Sequence, residues 1–246
     1  MANRGRRTSR VRRFLKLFAI GTVSIIVIGL VALWLAFQRI PDWYRPVALT
    51  EAVAQEAQRT FTNFTDTVSD RIVEGEPFDV TIEQKAVNTW LAAAPELRAE
   101  RRRVSPERLR DPAVAFEPGR IRIGAHINHN GWETIAGAVL DIEVCDDGRS
   151  IRIRLRSVHG GAIEVPHSIL EDVIDPLLRK SKQRATRSAD NLEMLENVLR
   201  QVESTSDLFA GVRVPSHGVW PNGKRPYRIQ AITVTRGLLT ISVVPL

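Results

Sequence analysis

The chain is expected to fold as an α+β protein, an N-terminal transmembrane helix followed by an antiparallel β-sheet covered on one face by helices. Three observations carry that expectation. Leu17 to Phe37, LFAIGTVSIIVIGLVALWLAF, runs 21 residues without a charge. As a helix it would extend roughly 31 Å, about the thickness of a hydrocarbon core. Beyond it, apolar and polar residues alternate in paired runs joined at Pro-Gly, Asp-Gly, Asn-Gly and Arg-Gly, the mark of hairpins with one covered face. Around those runs, apolar residues recur at steps of three and four, the period of amphipathic helices. Three regions follow: a basic tail over 1–16, the span over 17–37, and one α+β domain over 38–246.

The span is longer than a secretory h-region and ends in bulky Trp34, Leu35 and Phe37 rather than a small-x-small cleavage site, which favours an uncleaved signal anchor. Arg4, Arg6, Arg7, Arg10, Arg12, Arg13 and Lys16 precede it without an acid. The positive-inside rule then puts the N-terminus in the cytoplasm and the domain outside, in a single-pass cell-membrane arrangement. Trp34, Trp43 and Tyr44 fall where an outer aromatic belt would lie, and Pro41 and Pro46 stop the helix.

The net charge of +7 suggests a nucleic-acid binder, but its distribution argues against one. Seven of the 35 Lys and Arg residues, and none of the 28 Asp and Glu residues, precede residue 17. The domain is therefore formally neutral, and the expected partner of the excess is anionic lipid on the cytoplasmic leaflet. One cysteine, Cys145, excludes an intramolecular disulfide framework and a multi-cysteine metal site. The exported domain must hold together through its core.

From Val47 to Ile72, the stripe Val53, Ala57, Phe61, Phe64, Val68 and Ile72 predicts one long core-packing helix. Phe78 and Val80 predict a short strand. Thr81-x-x-Gln84 then reads as a capping box opening a helix over Ile82 to Ala94, with Ile82, Ala86, Val87, Trp90 and Leu91 on one face. Residues 98–110 read as a basic connection. Val114 and Phe116 pair with Ile121, Ile123, Ala125 and Ile127 around Pro118-Gly119. A second hairpin, Leu140 to Val144 with Ile151 to Leu155, turns at Asp147-Gly148. If those two residues are the centre of a type I′ turn, paired positions sum to 295. Val144 then faces Ile151 and Ile142 faces Ile153 on the buried side, while Glu143 faces Arg152 and Asp141 faces Arg154 on the other. Ser168-x-x-Glu171 caps a helix containing Pro176, a further helix carries Leu192 to Val202, and Leu208 to Val214 reads as a strand. Trp220-Pro-Asn-Gly223 is a turn, and Tyr227 to Val234 pairs with Leu238 to Val243 through Arg236-Gly237. The spacing Val114-x-Phe116-x-x-Gly119-x-Ile121-x-Ile123 recurs as Ile232-x-Val234-x-x-Gly237-x-Leu239-x-Ile241. Two related halves would produce it, and so would any pair of inward-facing hairpins with a late glycine.

The chain contains no HExxH, Walker loop, GxSxG or GxGxxG, so neither enzymatic activity nor a cofactor or metal is expected. His126 and His129 have opposite parity on a strand and cannot jointly hold an ion there. Ser216 and His217 are adjacent, and neighbouring side chains do not face each other. The run RKSKQRATR over 179–187 places Arg179, Lys180, Lys182, Arg184 and Arg187 together without an acid. It is expected to be an exposed turn between two helices whose cations meet anionic head groups.

The order of features resembles the YpmS-like bacterial envelope proteins, single-pass proteins of unresolved function. The likeness rests on PFDVTIEQKAVNTWL with Asn88, on a hairpin at a Pro/Asp-Gly turn, on HGGAIEVPHSIL and on the late hairpin ending in VVPL, and it covers roughly Phe78 to Leu170. It implies no catalytic residues. The helix-plus-long-sheet order is also similar to tubular lipid-binding domains, which wrap an apolar groove. Three readings follow. The first is a non-enzymatic extracytoplasmic module that binds a lipid or another hydrophobe. The second is an assembly or scaffold component of the cell envelope acting through protein contacts. The third, the least expected, is a hydrolase whose site has no recognised motif.

Overall fold

The structure, a computed structural model, describes residues 24–93, 109–129, 131–145, 147–185, 202–220 and 225–246. The fold is α+β with antiparallel sheets, as expected, but there are two sheets rather than one. The first contains β1 (Phe78–Glu83), β8 (His217–Trp220), β9 (Arg225–Thr235) and β10 (Leu238–Pro245), in the order β1-β10-β9-β8. The second runs β2-β3-β4-β5-β6, through β2 (Leu109–Glu117), β3 (Arg120–His129), β4 (Trp132–Val144), β5 (Ser150–Gly160) and β6 (Ile163–Glu164). Strand β7 (Val212–Pro215) joins β5 off this path. The alternation of each hairpin was legible, but alternation does not say which hairpins share a ladder.

The two sheets meet at the hairpins whose spacing repeats. Each has a two-residue loop, with Glu117 opposite Arg120 and Thr235 opposite Leu238. Gly119 and Gly237 end those loops at φ 73° and 78°, a region that L side chains avoid. Gly119 N–H donates to the Val234 carbonyl and Gly237 N–H to the Phe116 carbonyl, at 2.9 and 3.0 Å. These are equivalent positions of the repeat, so the hairpins dock on each other reciprocally, as related by a local two-fold. Val114, Phe116, Ile121 and Val234 form the buried cluster at this junction, and Val87, Leu91, Ile142 and Leu239 pack against it.

Helix α3 (Gln84–Ala93) closes the open edge of β2. Asn88 donates from Nδ2 to the Val114 carbonyl and accepts the Val114 N–H at Oδ1, at 2.9 and 2.7 Å. Gln84 Oε1 accepts the Phe116 N–H at 2.9 Å. The match is geometric. Four residues of helix rise about 6 Å and two residues of strand about 6.6 Å, so amides at i and i+4 reach alternate strand residues. One turn further on in the helix stands Ala92, which has no side-chain amide, and two residues before Val114 in the strand stands Pro112, which has no N–H to satisfy. The Thr81 capping box does not form. Strand β1 runs on through Thr81 to Glu83 because it pairs with β10 as far as Leu238, and Thr81 and Thr240 bond hydroxyl to hydroxyl at 3.3 Å.

In the hairpin of β4 and β5 the expected register is found. Val144 faces Ile151, Glu143 faces Arg152, Ile142 faces Ile153 and Asp141 faces Arg154. The ion pairs Glu143–Arg152 and Asp141–Arg154 measure 2.9 and 2.7 Å. The turn type is different from that expected. Type I′ needs positive φ at both central residues, and of Asp147 and Gly148 only Gly148 has it. Gly148 N–H donates instead to the Cys145 carbonyl, and the Asp147 carboxylate accepts from the Arg149 and Ser150 N–H groups. The Arg149 N–H above all holds the Asp147 carboxyl below the usual carboxylate range.

Two further expectations change. Helix α4 (His167–Ala185) contains 179–185 rather than ending before them, so Arg179, Lys180, Lys182 and Arg184 belong to a helix and not to a turn. Lys, Arg, Gln and Ala are good helix formers, and no breaker stands between Leu177 and Ala185. Arg187 lies outside the described residues, as do 98–108 of the expected basic connection, the Leu192–Leu199 face and the turn at 221–224; the last two residues of that connection, Leu109 and Arg110, open β2 instead. Residues Leu208 to Ala210 are not strand. They end helix α5 (Thr205–Ala210), where Asp207 accepts the Ser204 N–H in the capping-box manner. Strand β7 follows only from Val212.

Of the charge-free stretch, the described part lies in helix α1 (24–38). Among the described residues no helix is long and apolar enough to cross a membrane. Trp43 and Tyr44 are not an exposed belt. Tyr44 is buried, with its hydroxyl donating to the Asp111 carbonyl, and clusters with Ala113 and Ile135. Trp43 lies against Gly124 and Gly137, which face each other across β3 and β4. A Cβ on Gly124 would come within 2.6 Å of the indole, so only glycine leaves the slot open.

Candidate functional site

An open apolar concavity lies between α2 (Glu51–Glu74) and α3. Helix α2 is set by its ends. The Thr50 hydroxyl accepts the Val53 N–H, and Gly75 ends the helix in the left-handed region. Ala57, Val68 and Ile72 turn inward and are buried. Near the far end Ser69 accepts the Trp220 indole N–H at 2.7 Å, which ties α2 to β8. Helix α3 is held independently, by the Asn88 and Gln84 clasp on β2. The two helices are therefore fixed by different strands and do not close fully on each other.

The space left is a cleft of about 260 Å³ lined by Ala57, Thr60, Phe61, Phe64, Ile82, Ala86, Val87 and Trp90. Only the Thr60 hydroxyl and the Trp90 indole N–H are polar among those side chains. At its rim Phe61 and Trp90 stack, with ring centroids 6.2 Å apart and planes 18° from parallel. Both rings face solvent, Phe61 at 50% and Trp90 at 36% exposure. The pair leaves a large aromatic surface open beside the apolar recess. Sequence periodicity placed Phe61 in the core stripe. It lies on the flank of that stripe, beside the buried Ala57 and Val68 positions, where steps of three and four do not separate core from rim.

A second apolar space of about 230 Å³ lies between the sheets, bounded by Ile142, Ile153, Ile232, Ile241, Tyr227 and His217 among others. Among the described residues the linings of the two spaces share no side chain. Ser216 is buried there, and its hydroxyl donates to the Gly148 carbonyl at 2.8 Å. The other described histidines are dispersed. His159 Nε2 meets the Ser157 hydroxyl, His126 lies 3.9 Å from Glu133, and His167 packs on the Phe209 ring. Among the described residues no group of three or more His, Cys, Asp or Glu could hold a metal ion.

Of the cations expected to meet head groups, Arg179, Lys180, Lys182 and Arg184 fall in the C-terminal part of α4, and none of them lines the cleft. No protein-family model, curated protein or solved structure matches the chain.

Proposed function

We propose that the protein is a membrane-anchored, extracytoplasmic module that binds a lipid or another hydrophobic ligand and performs no chemistry on it. The observation that carries the reading is the α2–α3 cleft, nearly free of polar groups and rimmed by the exposed Phe61–Trp90 pair. Its volume suits a segment of one apolar chain, with the rest of the ligand outside. The charge-free stretch Leu17–Phe37 and the one-sided basic tail support a single-pass anchor with the N-terminus inside. The resemblance of the feature order to that of YpmS-like envelope proteins fits the same setting. In this reading Arg179, Lys180, Lys182, Arg184 and Arg187 form a basic helix end and its continuation that meets anionic head groups.

The reading is tested by photocrosslinking. A diazirine-bearing fatty acid is added to the full chain in lipid nanodiscs, and labelled peptides are mapped by mass spectrometry. Labels are expected on 51–74 and 84–93 as well as on the anchor. Burying a phenylalanine ring contributes about 1.5–3 kcal/mol. Phe61→Asp should therefore lower labelling of the two helices roughly tenfold or more, with anchor labelling unchanged. Labelling confined to the anchor in the unaltered chain would overturn the reading.

A further inference from the structure

The chain between α1 and α2 is not a loose tether. The Ala36 carbonyl accepts the Ala162 N–H at 3.0 Å, and the Phe37 carbonyl accepts the Thr134 hydroxyl at 2.6 Å. The Phe37 ring lies where a Cβ on Gly160 would point, and a Cβ on Gly161 would collide with the Phe37 carbonyl. Six residues later Trp43 fills the Gly124–Gly137 slot and Tyr44 is buried. Gly160 pairs with Ala136, and Ala136 points to the face opposite its neighbour Gly137. Residues 36–44 therefore hold both faces of the second sheet at one end. Beyond this clasp α1 projects outward, with Ile25, Ile28, Leu30, Leu33 and Leu35 each more than half exposed. Apolar side chains exposed on all sides of a helix call for an apolar surround. The charge-free run continues N-terminally to Leu17.

We infer that residues 36–44 join α1 and the domain into one rigid body that seats the β5–β6 turn, at Gly161 and Ala162, on the lipid surface. The inference rests on the reading of Leu17–Phe37 as the membrane anchor. The head-group layer adds about 5–7 Å beyond the hydrocarbon core on each side. Ala162, bonded to a residue at the outer end of the span, falls within that layer. Ala162 is exposed, and so is the nearby Ile169 at the start of α4. The domain then meets lipid through one defined end and does not swing.

The test uses the full chain in nanodiscs with Cys145→Ser to remove the native thiol. A fluorophore on Ala162→Cys should lose most of its emission to head-group nitroxide lipids. Spin labels on Leu33→Cys and Ala162→Cys should give a single narrow distance distribution. Gly124→Val, which expels the Trp43 ring, and Trp43→Ala, which empties the slot without a clash, should both broaden it. A broad distribution in the otherwise unaltered chain overturns the inference, whatever the lipid result. A narrow distribution in a chain that carbonate extracts from membranes overturns the anchor reading instead and leaves the clasp standing.

Discussion

Ile142→Asp is expected to unfold the domain, while its neighbour substitution Glu143→Gln leaves the melting temperature nearly unchanged. The two residues are adjacent on β4 and point to opposite faces. Ile142 packs against the Val114–Phe116–Ile121–Val234 cluster where the two sheets meet. Ile142 is partly buried, so the loss of its apolar side chain falls at the low end of the core range, about 2 kcal/mol. The aspartate also brings a carboxylate into apolar surroundings, which costs several kcal/mol more. The sum is comparable with the whole stability of a domain, about 5–15 kcal/mol. Glu143 pairs with Arg152 at 2.9 Å, but its side chain is 60% exposed. Exposed pairs contribute about 0–1 kcal/mol. Thermal unfolding of the two variants beside the parent reads the difference directly. Equal destabilisation would contradict the assignment of faces.

Asn88→Ala should be the most damaging single change that removes no apolar surface. Asn88 is 4% exposed and satisfies both the N–H and the carbonyl of Val114 on the edge of β2. Alanine leaves that donor and that acceptor without a side-chain partner, at about 1–3 kcal/mol for each buried group left unsatisfied. A loss of roughly 2–5 kcal/mol is expected, with faster amide exchange at Val114. Asn88→Asp keeps the acceptor for the Val114 N–H but sets oxygen against oxygen at the Val114 carbonyl, so it should not rescue. Unchanged exchange at Val114 in Asn88→Ala would show that the edge is protected by something else.

Much of the fold was legible because its signals are local. The 295 register of β4 and β5 was read from the Asp147-Gly148 turn together with apolar parity and charge pairing, and it holds even though that turn is not type I′. A one-residue slip would have put Ile142 against solvent, and that constraint outweighs the turn's own preference. The repeat around Gly119 and Gly237 was visible too. Its meaning was not, because two hairpins docking reciprocally is a tertiary fact. Two further signals stand in the sequence and acquire meaning only in the fold. Ser204-x-x-Asp207 is a capping box before α5, and Gly124 and Gly137 interrupt otherwise regular strands at positions that pair with each other. Glycine inside a strand marks a close approach, here by Trp43. The cleft was the least legible feature. It exists because α2 and α3 are fixed to different strands, and no periodicity within either helix reports the gap between them.

The central claim is that the α2–α3 cleft holds a hydrophobic molecule. The most direct measurement is mass spectrometry of organic extracts from the full chain and its Phe61→Asp variant, purified side by side from the same membranes and normalised to protein and to bulk lipid. One apolar species is expected at near-stoichiometric amount in the parent protein. It should be depleted roughly tenfold in Phe61→Asp, because the ring that covers the ligand is replaced by a hydrated carboxylate. Extracts that contain only bulk lipid, or the same amount of the species in both proteins, would contradict the claim.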